Sequence, residues 1–117
     1  MHGSPPCLER DIFYAQGTLS AAEIQTFKQD LMAWLASATA PALVIDFAQV
    51  DFLDSSTLVV LVNAYQHARK AGKQLMLSGV SAELKIIFEL TQLDLVLTIY
   101  PTPEAAFASL LPFASAA

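Results

Sequence analysis

Leu43-Val44-Ile45-Asp46-Phe47, then Asp54-Ser55-Ser56-Thr57-Leu58, then Gln74-Leu75-Met76-Leu77 are the residues on which the fold turns. The first run is almost continuously apolar, as expected of a strand buried on both faces in a parallel sheet. After a turn through Asp51, the spacing of Leu58, Leu61, Val62 and Tyr65 predicts a helix with one apolar face. Arg69 and Lys70 stand where cations favour a helix C-terminus, and Gly72 suits the left-handed residue beyond it. Residues 74–77 then read as a second strand. Residues 43–77 therefore form a strand–helix–strand unit, expected to cross over with the right-handed sense.

The same alternation continues outward. Upstream, Asp11–Ala15 reads as a short strand stopped by Gly17. Ser20-Ala21-Ala22-Glu23 has the spacing of a capping box, in which each side chain satisfies a free amide. Ile24, Phe27, Leu31 and Trp34 place one helical face toward the core, and Pro41 prevents further helix. Downstream, Ser81 is positioned to cap a helix that buries Leu84, Ile87 and Phe88. Val96–Ile99 reads as the last strand, and Thr102-Pro103-Glu104 starts a final helix. The order β-α-β-α-β-α-β-α defines an α/β layer sandwich.

Composition narrows the class of function. The chain has 117 residues, the length of one domain. Hydrophobic residues make up 55% and charged residues 15%, with a mean hydropathy of +0.49, which excludes intrinsic disorder. The net charge is −5 and the six basic residues are scattered. Neither a nucleic-acid footprint nor a polybasic membrane patch is expected. No apolar run approaches the ~20 residues of a membrane span. The start has no signal-peptide pattern. Cys7 is alone, which fits a reducing, cytoplasmic setting, and nothing near it in sequence would activate it.

Catalytic apparatus is not legible. Ser55 and His67 lie 67 − 55 = 12 residues apart on one predicted helix, a rise of about 18 Å. A small hydrolase would need His67 to reach a nucleophile, and no G-x-S-x-G turn is present. No His/Cys/Asp group has metal-ligand spacing, and four glycines leave no phosphate-cradling loop. No cofactor or metal is expected. Trp34 and Tyr65 continue apolar stripes and read as core. Asp46 is expected on the less buried face near its strand end, with no role assigned.

Asp54-Ser55-Ser56-Thr57 is where chemistry could reside. Asp at an N-cap followed by hydroxyl residues is ordinary helix-start chemistry. If Asp54 takes the cap, the Ser55 hydroxyl is left pointing outward at the positive end of the helix dipole. Phosphate is tolerated there without unfolding, although Asp51 and Asp54 would repel it. Phe52 and Leu53, apolar residues beside that loop, are expected to form part of a docking patch. The high apolar content would also suit a homodimer surface.

From about Asp11 to Leu111 the chain resembles the STAS domain, the family of bacterial anti-sigma factor antagonists. The strongest stretch is Val44-Ile45-Asp46-Phe47 with Val50-Asp51-Phe52-Leu53-Asp54-Ser55-Ser56, similar to the family's strand and D-S-S/T-G-L signature. Ala68-Arg69-Lys70-Ala71-Gly72-Lys73-Gln74-Leu75, Phe88-Glu89-Leu90-Thr91-Gln92-Leu93-Asp94 and Ile99-Tyr100-Pro101-Thr102-Pro103-Glu104 add to it. The resemblance implies a STAS-like α/β sandwich: a mixed, mostly parallel sheet of four to five strands with about four helices. The domain would span residues 9–112, with a lead-in at 1–8 and a tail at 113–117. It also implies partner switching. The unmodified domain binds an anti-sigma factor serine kinase, which phosphorylates the first Ser after the signature Asp, here Ser55. Release follows, and a serine phosphatase restores the binding form. Asp54 would orient the loop, and Ser56 and Thr57 would shape the contact. Thr57 and Val59 stand where antagonists usually have glycines, adding bulk where a partner backbone approaches. Those residues favour the alternative, a constitutive STAS adaptor docked on another protein such as a transporter ATPase.

Overall fold

The computed structural model describes residues 10–110. Expectations for Cys7, for the lead-in at 1–8 and for the tail at 113–117 fall outside those residues. The elements are β1 (Arg10–Leu19), α1 (Ile24–Ser37), β2 (Ala42–Leu53), α2 (Ser55–Lys70), β3 (Gln74–Ser78) and α3 (Ala82–Leu90). A short 3-10 turn (Leu93–Leu95), β4 (Ile99–Tyr100) and α4 (Pro103–Ala108) complete the order.

Among the described residues four strands lie side by side in sequence order, and every pairing among them is parallel. Right-handed crossovers that all step in one direction put α1, α2 and α3 on the same face of the sheet. Alternate strand residues follow that division. Leu43, Ile45, Phe47, Leu75 and Leu77 belong to the large core shared with Leu31, Leu61, Ala64 and Phe88. Ala42, Val44 and Met76 point the other way and pack with Ala106 and Phe107 of α4. Among the described elements, α4 is the one that packs on the second face. The continuous apolar reading of residues 43–47 was correct because both faces are occupied.

Four expectations change. β1 does not stop at Gly17 but runs to Leu19, with register shifts between Tyr14 and Gln16 and between Gly17 and Thr18. Gly17, at φ +78°, absorbs the irregularity instead of ending the strand. The last strand is Ile99–Tyr100, because the 3-10 turn carries the chain through Val96 in a helical conformation before pairing begins. The capping box does not form. Glu23 occupies the N-cap of α1 without a side-chain bond to the helix, and its Oε1 accepts from the Ser20 hydroxyl at 2.7 Å.

The fourth change concerns Asp46, which is only 6% exposed. Register places it beside Tyr14 on β1 and Ser78 on β3. The buried Ser78 hydroxyl donates to its Oδ1 at 2.8 Å, which gives the carboxylate the partner burial demands. Gly79, at φ +69°, keeps the space open: a Cβ there would lie 2.6 Å from Asp46 Oδ1 and 3.0 Å from the Ala48 amide nitrogen.

Candidate functional site

The corner between β2 and α2 is organised by Asp54. Its backbone is extended (φ −125°, ψ −173°), as an N-cap requires. Oδ1 accepts from the Ser56 amide at 3.0 Å, and Oδ2 accepts from the Ala21 amide at 3.0 Å. One carboxylate therefore caps α2 and ties down the turn between β1 and α1. The Thr57 amide donates to the Asp54 carbonyl at 3.0 Å, closing the first turn. The last turn of α2 holds Arg69 and Lys70, whose charge suits the negative end of the helix.

Ser55 is the first residue of α2 and is exposed. With Asp54 filling the cap, its hydroxyl makes no hydrogen bond to any described residue. Ser56 is half-buried and Asp51 is exposed. Phe52 is 49% exposed beside them.

Two neighbours are placed differently from expectation. Leu53 is 1% exposed and belongs to the core, so it is no part of a docking patch. β2 continues to Leu53, and pleat parity sends that side chain inward while Phe52 points out. Thr57 is fully buried, and its hydroxyl donates to the Leu19 carbonyl at 2.6 Å. It joins α2 to the end of β1 instead of shaping a partner contact, and its bulk does not stand beside Ser55. Val59 is the outward residue, 60% exposed one turn along α2.

Sequence reading missed the companion surface. Ser55, Leu58, Val59, Val62 and Asn63 line one side of a shallow groove of about 370 Å³, closed by Thr91 and Leu93 from the end of α3. The signal was present: Ser55, Val59, Val62 and Asn63 recur at steps of four, three and one, a second stripe beside the buried one. What sequence could not supply was the other wall. Gln92 adopts a left-handed conformation (φ 62°) that turns the chain there. The Thr91 hydroxyl holds the last turn of α3 by donating to the Ile87 carbonyl at 2.8 Å. Leu90 and Leu95 are strongly exposed at that end.

His67 lies on the same helix as Ser55, three-quarters of its length away, so no Ser–His pair is assembled. Among the described residues no group of His, Cys, Asp or Glu could hold a metal ion, and no helix is long and apolar enough to cross a membrane.

A parallel α/β sandwich with a capped, serine-bearing helix start after its second strand defines a class, and comparison with known proteins agrees. The STAS domain family matches residues 6–106, and the chain belongs to that family. Its fold is similar to that of an anti-sigma factor antagonist from Mycobacterium paratuberculosis, with 26% identity, a TM-score of 0.78, and coverage of 86% of this chain and 84% of that one. It is also similar to a sulfate transporter family protein from Wolinella succinogenes, with 17% identity, a TM-score of 0.77, and coverage of 97% and 93%. The anti-sigma factor antagonist SpoIIAA in its unphosphorylated form superposes with a TM-score of 0.72 at 14% identity, with coverage of 93% and 94%. SpoIIAA, a Bacillus cell fate determinant, is also known in its phosphorylated form.

Proposed function

We propose that this STAS domain is a non-enzymatic, cytoplasmic regulator that switches partners. With Ser55 unmodified it binds an anti-sigma factor serine kinase. Phosphorylation of Ser55 releases it, and a serine phosphatase restores the binding form. The observation that carries this reading is the division of labour at the start of α2. Asp54 spends both carboxylate oxygens on backbone amides, and the exposed Ser55 hydroxyl is left over. A phosphate there meets the positive end of a 16-residue helix. It breaks no hydrogen bond that Ser55 makes with the described residues. The dianion would stand near Asp51 and Asp54 at the mouth of an apolar groove, so a returning partner would have to desolvate it. The likeness to SpoIIAA, known in both states, supports the reading.

The test is incubation with a candidate kinase and ATP, followed by peptide mapping. Modification is expected at Ser55 and is lost in Ser55→Ala. Modification only elsewhere, or none by a kinase that binds the domain, overturns the reading.

Val59 favours a second reading. A fixed, exposed apolar side chain in the Ser55 groove suits a permanent contact. The domain would then be a constitutive adaptor on another protein such as a transporter ATPase. That complex would be insensitive to both Ser55→Ala and Ser55→Asp.

A further inference from the structure

The outer side of α3 is apolar where water would favour polar residues. The buried residues of this helix are Leu84 and Phe88. Ile86 stands two residues from each, which at 3.6 residues per turn puts it on the opposite side. It is 52% exposed, and Leu90, four residues on and so on the same side, is 80% exposed. Leu95 and Val96, in and just after the 3-10 turn that follows, are 77% and 44% exposed. None of these four lines the Ser55 groove. Isoleucine is only a middling helix former, so the stability of the helix does not account for Ile86. Beside this stripe stand Lys85 and Glu89, both exposed and one turn apart on the same side. Neither is in an ion pair with a described residue.

We infer that two copies of this chain associate through α3, packed antiparallel about a two-fold axis. In such a contact the same patch serves both copies, so the face must complement itself. With Ile86 near the axis, Lys85 of one copy meets Glu89 of the other, and the symmetry repeats that pair on the far side. Leu90 of each copy falls against Ala82, a small and exposed residue at the start of the other's α3. A parallel arrangement would set Lys85 against Lys85 and Glu89 against Glu89, so the charges choose the direction. Glu83 stays at the rim, where water and salt screen it. Leu95 and Val96 extend the apolar area past the end of the helix. One nine-residue helix from each copy, with the turn behind it, buries less than a standard interface. The dimer is therefore weak, with a dissociation constant of about 100 µM.

The proposal does not depend on the Ser55 reading and is tested separately. The measurement is sedimentation equilibrium of the full chain from about 10 µM to about 1 mM, across which the dimer should become the main species. Ile86→Asp should weaken it at least about tenfold. Lys85→Glu and Glu89→Lys should each weaken it about tenfold, because each turns two attractive contacts into repulsive ones. Mixed in equal amounts, those two single variants should pair with each other as tightly as the parent pairs with itself. No contact within one chain can give that rescue. Far-UV circular dichroism confirms that each variant is folded, and the two charge variants carry the test if Ile86→Asp is not. Ser55→Asp should leave the dimer unchanged. A chain that stays monomeric to about 1 mM overturns the proposal. So does a dimer indifferent to the charge variants, or one that their mixture fails to restore. Loss of the dimer in Ser55→Asp also overturns it, by placing the contact at the Ser55 groove.

Discussion

Two serine–aspartate neighbourhoods in this domain use the same functional groups to opposite ends. In the sheet, Ser78 donates to Asp46, and both are sealed between β2, β3 and the residues around Gly79. At the helix start, Asp54 ignores its neighbouring serine and binds two backbone amides, leaving Ser55 in solvent. The carboxylate's partner decides the serine's fate. A serine that satisfies a buried carboxylate cannot be modified without breaking the sheet. A serine beside a carboxylate satisfied elsewhere is free to carry a new charge. If the contrast is sound, substitutions in the sheet pair should cost stability and those at the helix start should cost binding.

Gly79→Ala is the harshest test. It places a Cβ within 2.6 Å of Asp46 Oδ1 and forces a side chain onto a backbone at φ +69°. A loss of about 3 kcal/mol is expected in urea unfolding. A loss under about 1 kcal/mol would mean that the sheet pair yields easily, and the contrast with Ser55 would weaken. Ser78→Ala comes next. It removes the donor to a buried carboxylate and should cost about 2 kcal/mol. A double-mutant cycle of Ser78→Ala with Asp46→Asn would show whether that cost belongs to the pair.

Legibility follows the range of each interaction. The strand at 43–47, the helix faces of Phe27, Leu31, Leu61 and Phe88, and the caps at Asp54, Ser81 and Thr102 rest on contacts within a few residues, and they were readable. The partner of Asp46 is 32 residues away in sequence, and the carbonyl that receives Thr57 is 38 away. Neither distance leaves a mark in local pattern. That is why Asp46 was expected near the surface and Thr57 at the contact. Leu53 was misplaced for a simpler reason: β2 was expected to end near Phe47, so its parity at 53 was not considered. The groove beside Ser55 was half legible, since α2 carries its own wall and the turn after α3 supplies the rest.

Asp54→Ala should cost about 1 kcal/mol. It removes the cap on Ser56 and releases the Ala21 amide, which can return to water because that site is exposed. Hydrogen exchange should therefore quicken at both Ser56 and Ala21, although 35 residues separate them by 56 − 21. Quickening at Ser56 alone would mean that the tie between the two turns contributes nothing in solution.

Ser55→Asp should change stability least, within about 0.5 kcal/mol. Its charge gains from the positive end of α2, by an amount of order 0.3–1 kcal/mol. Asp54 beside it and Asp51 near it in sequence oppose that gain by a similar amount. The thermal midpoint should stay close to that of the parent while affinity for the kinase falls at least about tenfold. If the midpoint drops steeply instead, the Ser55 hydroxyl is holding the helix start, and the distinction from Ser78 collapses. If both midpoint and affinity are unmoved, charge at this position does not govern docking, and the constitutive adaptor becomes the better account of Val59 and the apolar groove. Comparing the variant's ionic-strength dependence with the parent's separates these cases, because repulsion from an added charge is screened by salt and a lost packing contact is not.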